Sequence, residues 1–204
     1  MKSTKWASVA ITLLAAVLSI PAQAEVVYTP VNVVIPSNGS HNIDLNRDGI
    51  TDFTLSSHLL QVYCQAGDGI VWYAAAQPGQ SNGSIVAIGQ NPLALKSGVP
   101  IGPSQIYYSG WQLMTEYAYG SCGKFVLGNW LNLLDRYLGF EFQIQGVGGP
   151  ETHYGWAQVS VSAFLDQHNN LQTATFLSGF AYETVPGKAI TTGQTSAQPT
   201  IDPP

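Results

Sequence analysis

Beyond the N-terminal segment, apolar and polar residues alternate in runs of strand length, and no stretch repeats convincingly with the period of a helix. The alternation predicts strands over 26–35, 59–64 and 70–75. It also predicts a hairpin of 41–45 with 50–56 around an Asp-rich loop. Residues 129–136 have room for one short helical turn. From 77 to 104 the chain is rich in Gly, Pro, Ser and Asn and reads as long surface loops, broken by one apolar run at 84–88. Residues 107–130, dense in aromatics and glycine, carry no assignable pattern.

The last third is clearest. Leu138, Phe140, Phe142 and Ile144 alternate with Gly139, Glu141, Gln143 and Gln145, and after a Gly146–Pro150 turn residues 154–162 alternate again. Facing both apolar sets to one core puts Phe142 opposite Ala157 and Phe140 opposite Val159. A turn at 166–170 and a strand over 171–183 complete a meander. No repeat of solenoid or propeller length occurs. The expectation is one all-β domain over 25–190, an antiparallel β-sandwich or a jelly roll, followed by a flexible Thr- and Pro-rich tail over 191–204.

The N-terminal segment changes the destination. Lys2 and Lys5 precede an apolar run from Trp6 to Ile20, then Pro21 and the small-residue site Ala22-Gln23-Ala24. That is the layout of a secretory signal peptide cleaved after Ala24, over 1–24, and the run is shorter than a membrane span needs. The expected product is secreted or periplasmic, with no membrane span. Without the leader, five Lys and Arg face twelve acids, which argues against nucleic acid as a partner. Charged residues are only 9% of the chain, so the surface is polar but nearly uncharged. Cys64 and Cys122 are the only cysteines, and an oxidising destination makes a disulfide the simplest reading, with two buried thiols as the alternative.

The sharpest motif is Asp44-Leu45-Asn46-Arg47-Asp48-Gly49-Ile50-Thr51-Asp52. Oxygen side chains stand at positions one, three, five and nine, Gly at six allows a tight turn, and position seven offers a carbonyl. Asp44, Asn46, Asp48, Ile50 and Asp52 are thus the expected ligands of one structural Ca²⁺. Position twelve is Leu55 where an EF-hand needs Glu, and strands flank the loop, so it is similar instead to the calcium hairpins of integrin-type repeats. The alternative is an Asx-rich turn without metal.

Catalytic patterns are weak. Glu116, Glu141, Glu151 and Glu183 are the candidate acids of a glycosidase, but no spacing selects a pair. His41, His58, His153 and His168 show no zinc grouping, and no nucleophile elbow or phosphate loop occurs. On the polar side of the meander, Glu141, Gln143, Tyr154, Trp156 and Gln158 form a set suited to a sugar or, equally, to a second layer of the fold.

Three further segments, added to the Asp44–Gly49 run with Asp52-Phe53, carry a resemblance. They are Tyr137-Leu138-Gly139-Phe140, His153-Tyr154-Gly155-Trp156 and Gly179-Phe180-Ala181-Tyr182-Glu183-Thr184. In combination the chain resembles bacterial exported proteins of the kind that carry a PEP-CTERM sorting tail. The resemblance implies export and a β fold more than a function, since the group has no established enzymatic activity. No Pro-Glu-Pro signal, apolar helix or basic tail follows Glu183, so anchoring by that route is not expected. The functional expectation is a calcium-stabilised, non-catalytic extracytoplasmic module acting in binding or surface structure, with a glycan or another surface protein as the partner to test. A carbohydrate-binding domain is the alternative, and a polysaccharide hydrolase stands behind it.

Overall fold

In the computed structural model, which describes residues 25–79, 83–121 and 123–196, every regular element among the described residues is a strand. In chain order they are β1 Val26–Ile35, β2 Gly39–Ile43, β3 Phe53–Cys64, β4 Gly67–Pro78, β5 Ser84–Ile88, β6 Asn91–Pro92 and β7 Pro100–Ile101. There follow β8 Tyr107–Tyr108, β9 Gln112–Gly120, β10 Phe125–Gly128, β11 Leu133–Gly146, β12 Gly149–Leu165, β13 Leu171–Glu183 and β14 Ile190–Thr191. The signal segment 1–24 and Cys122 lie outside the described residues.

Two antiparallel sheets face each other. The larger runs β1-β13-β12-β11-β5-β6, with β8 also paired to β5, and the smaller runs β10-β9-β4-β3-β2. Within each sheet the long strands are joined as hairpins, β2-β3-β4 and β11-β12-β13, so the molecule is a sandwich of meanders rather than the double Greek key of a jelly roll. Pro30, which has no N–H to donate, sits on the edge strand β1, where the register with β13 shifts.

Alternation decides the core. Phe53, Leu55, Trp72, Ala74 and Ala76 of the smaller sheet meet Leu138, Phe140, Phe142, Ala157, Val159 and Leu177 of the larger, all buried. Each of the large side chains contributes roughly 1.5–3 kcal/mol by leaving water. Ser57 is tolerated among them because the Trp72 indole N–H donates to its hydroxyl at 2.8 Å. With Ser57 satisfied there is no reason for a break, and the strands expected at 50–56 and 59–64 are one strand, β3.

Four sequence expectations are corrected. Phe142 faces His153 and Phe140 faces Gly155, four residues from the expected register. The cause is a tight turn: Gly146 pairs with Gly149, whose positive φ of 123° closes the hairpin over Val147 and Gly148 alone. The shift is even, so the faces are preserved. No helix forms at 129–136; β11 begins at Leu133, with Asn132 and Asp135 both at positive φ. The stretch 77–104 is not simply surface loop, because Leu93, Leu95 and Ile101 pack on the outer face of the larger sheet. Nor does the packed body end at 190. Thr191 pairs with Pro100, and buried Thr192 donates its hydroxyl to the Lys96 carbonyl at 2.7 Å while accepting the Val99 N–H at 2.8 Å.

Candidate functional site

The Asp-rich loop joins β2 to β3 and is pinned at both ends. Leu45 is fully buried in the core, and the Asp52 N–H donates to the Ile43 carbonyl at 2.9 Å. Arg47 and Gly49 take positive φ values of 60° and 87°, which bends the chain back within a few residues. Arg47 also donates from Nη2 to the Thr29 hydroxyl of β1 at 2.9 Å, tying the loop to the other sheet.

Side chains of the motif fold inward onto the backbone. The two Asp44 oxygens accept the N–H groups of Asp48 at 3.2 Å and Gly49 at 2.8 Å. Asp48 accepts from the Ile50 N–H at 2.8 Å and from the Asn46 amide at 2.9 Å. Asp52 accepts the Leu45 N–H at 2.7 Å. Asp52 is buried, and that burial pushes its carboxyl up to about 6; the neighbouring charges of Asp44 and Asp48 push the same way, against the Leu45 hydrogen bond. Leu55 is fully buried in β3, which rules out a ligand at the twelfth position.

Beside the loop lies a cleft of about 180 Å³ lined by Asp48, Ile50, Asp52, Gln143, Ile144, Gln145 and Pro150. The β11–β12 hairpin of one sheet thereby faces the β2–β3 loop of the other. As they stand, no three His, Cys, Asp or Glu side chains among the described residues are gathered as a metal cluster. The donor set still suits a hard cation. A carboxylate has about four acceptor positions, and each of the three carboxylates spends only part of that capacity on the hydrogen bonds above.

The second candidate surface is covered. Trp156 is 1% and Tyr154 4% exposed, enclosed with Val26, Val86, Ile101, Tyr137, Ala181 and Ile190 in a second apolar cluster. Trp156 sits opposite Gly139 and meets Tyr137 edge-on. Tyr154 stacks beside Tyr107, and Glu141 accepts from the Ser84 hydroxyl at 3.2 Å. Gln158 is half-buried and only Gln143 is open, at the cleft. The physical reason is the layer of residues from 93–107 with Ile190, which needs an apolar bed and takes this one. These five residues are therefore not a shared ligand face.

The four glutamates are dispersed. Glu116 is on the outer face of the smaller sheet and Glu141 under the covering layer. Glu151 is exposed near the β11–β12 turn, and Glu183 is buried against Lys188 at 3.1 Å. His153 is buried, its Nδ1 2.9 Å from the Glu183 carbonyl.

Another aromatic group lies elsewhere, with Trp111 exposed and Tyr73 and His58 half-buried. Tyr73 of β4 and Trp111, just before β9, stand on the outer face of the smaller sheet with His58 stacked on Tyr73. The sequence carried a partial signal: Trp72 and Tyr73 are adjacent in a strand, so one must point outward. Which of them does is fixed by Ser57, which holds the Trp72 indole inside.

No protein-family model, no curated protein and no solved structure matches the chain. Among the described residues no helix is long and apolar enough to cross a membrane.

Proposed function

We propose that this chain is an exported, non-catalytic β-sandwich module whose Asp44–Asp52 loop takes one structural Ca²⁺. The observation that carries the reading is the pinned loop itself. It carries the side-chain oxygens of Asp44, Asn46, Asp48 and Asp52 and the carbonyl of Ile50 within one short loop, and Asp48, Ile50 and Asp52 line the polar cleft beside it. Three carboxylates on one turn repel one another, and a divalent cation relieves that repulsion. Ca²⁺ accepts six to eight oxygens in flexible geometry, and water and the Gln143 side of the cleft can complete the set. Binding draws the carboxylates off part of their backbone hydrogen bonds, so the affinity belongs with extracellular modules, at roughly 10⁻⁴–10⁻³ M.

Export rests on the leader and on the resemblance to exported proteins. A non-catalytic role rests on the scattered glutamates, which present no acid and base across a common cleft. The test is thermal. At about 1 mM Ca²⁺ and a dissociation constant near 0.1 mM, linkage adds about 1.4 kcal/mol. For a chain of this length that raises the melting temperature by about 3–6 °C. Mg²⁺ does less, because it demands a tighter octahedron and releases water reluctantly. Identical melting curves in Ca²⁺ and in chelator, with no heat of binding by calorimetry, refute the site.

A further inference from the structure

We infer that the outer face of the smaller sheet is a binding site for a neutral polysaccharide. The inference rests on the reading of the chain as an exported, non-catalytic module and gives that module a ligand class.

The register places two rows of side chains across four strands. In the first, His58, Tyr73, Glu116 and Leu127 are successive cross-strand neighbours on β3, β4, β9 and β10. In the second, Leu60, Val71, Ala118 and Phe125 are neighbours on the same four strands. Residues directly opposite in a pair share a face and lie about 5 Å apart, so both rows form one surface. Its rim is open, with Leu60 47%, Phe125 43% and Leu127 50% exposed, while His58, Tyr73, Val71 and Glu116 are half-buried and the small Ala118 is covered by its neighbours. Trp111 closes one side. The residue is 45% exposed and its ring is set at 76° to that of Tyr73, with centroids 6.0 Å apart. His58 stacks on Tyr73 at 4.8 Å.

The chemistry of the rows selects the occupant. An apolar cover would strip water from Glu116 without replacing its hydrogen bonds, at a large desolvation cost. A second copy related by a two-fold axis through the patch would set Glu116 against its own symmetry mate. Nucleic acid is repelled by that carboxylate and by the acidic mature chain. A pyranose fits all of it. Its C–H face stacks on the exposed indole, and its hydroxyls donate to the Glu116 carboxylate and bond to the Tyr73 hydroxyl and the His58 imidazole. The carboxylate also disfavours uronic acids, so the chain is a neutral one.

The experiment is affinity gel electrophoresis of the processed protein through hydroxyethylcellulose, laminarin, galactomannan and xylan, with alginate as the acidic counter-probe. At least one neutral polymer retards the protein and alginate does not. Trp111→Ala weakens retardation about tenfold, Trp111→Phe restores part of it, and Glu116→Gln weakens it. Phe164→Ser, at an exposed position of the other sheet, leaves it unchanged. Trp111→Ala must keep the wild-type melting temperature, and Tyr73→Ala is the second arm if it does not.

Each gel is run in Ca²⁺ and in chelator. Retardation in both, by a protein with no calcium melting shift, supports this site while the loop reading fails. Absence of retardation in all four neutral polymers overturns the inference. So does retardation untouched by both Trp111→Ala and Tyr73→Ala, and so does self-association that Trp111→Ala abolishes, which would assign the face to a second copy.

Discussion

The ring of Phe53 stacks on that of Phe140 with centroids 4.0 Å apart and planes 14° from parallel. Phe53 opens β3 directly after Asp52, and Phe140 is central in β11, so one aromatic pair fastens the two sheets beside the Asp-rich loop. Phe140→Ala leaves a cavity opposite Gly155, where no side chain can collapse into it, and costs about 3–5 kcal/mol. Urea unfolding measures this as a lower midpoint at unchanged slope.

Gly155 predicts a different failure. A methyl group there would lie 2.7 Å from the Ala181 carbonyl on the neighbouring strand, which is backbone and cannot turn aside. Gly155→Ala is therefore destabilising by about 1–3 kcal/mol through overpacking, despite the better strand statistics of alanine. The same chemical denaturation reads it.

These two residues show how far the sequence could be read. Alternation placed Phe140 in the core, the runs 26–35 and 84–88 matched β1 and β5, and the turn at 166–170 marked the start of β13. The partner of Phe140 was missed because Gly146–Pro150 looks like one long turn, whereas the tolerance of Gly149 for positive φ lets two residues suffice. The covering layer was illegible for another reason. Leu93, Leu95 and Ile101 are spaced by Pro, Gly and Ser in a segment with almost no ladder to impose a period, and their role is set by the bed under them. Trp156 followed from that: its alternation was right, but period alone does not say whether a face meets water or a second layer.

A Cys64–Cys122 disulfide is expected in the exported protein. Ser121, next to Cys122, donates its N–H to the Asp68 carbonyl at 2.9 Å, beside Gly67, the cross-strand partner of Cys64. Non-reducing mass spectrometry should find the chain two hydrogens lighter than its thiol form. Alkylation of both cysteines without prior reduction would contradict it. The chain-entropy model puts the stabilisation at roughly 4 kcal/mol, so reduction should lower the melting temperature by about 8–16 °C.

Asp52 gives the pH dependence. Its carboxyl is raised from 3.8 to about 6 in the fold, with burial as the largest cause. The ion-free native state therefore holds a proton that the unfolded chain has already lost between these values. By linkage, Asp52's contribution is fully present below about pH 4 and is lost as pH rises through 6, by at most about 3 kcal/mol. Other carboxylates titrate in the same window, so the informative quantity is the difference between wild type and Asp52→Asn, which has no proton to lose. In chelator, wild-type stability should fall relative to Asp52→Asn from pH 4 to 6.5, measured by urea midpoints at fixed ionic strength. Calcium binds the ionised form, so at 1 mM its stabilisation should grow over that same interval and oppose the fall. A wild-type profile parallel to that of Asp52→Asn in chelator would show that the Asp52 carboxyl titrates alike in the folded and unfolded chains.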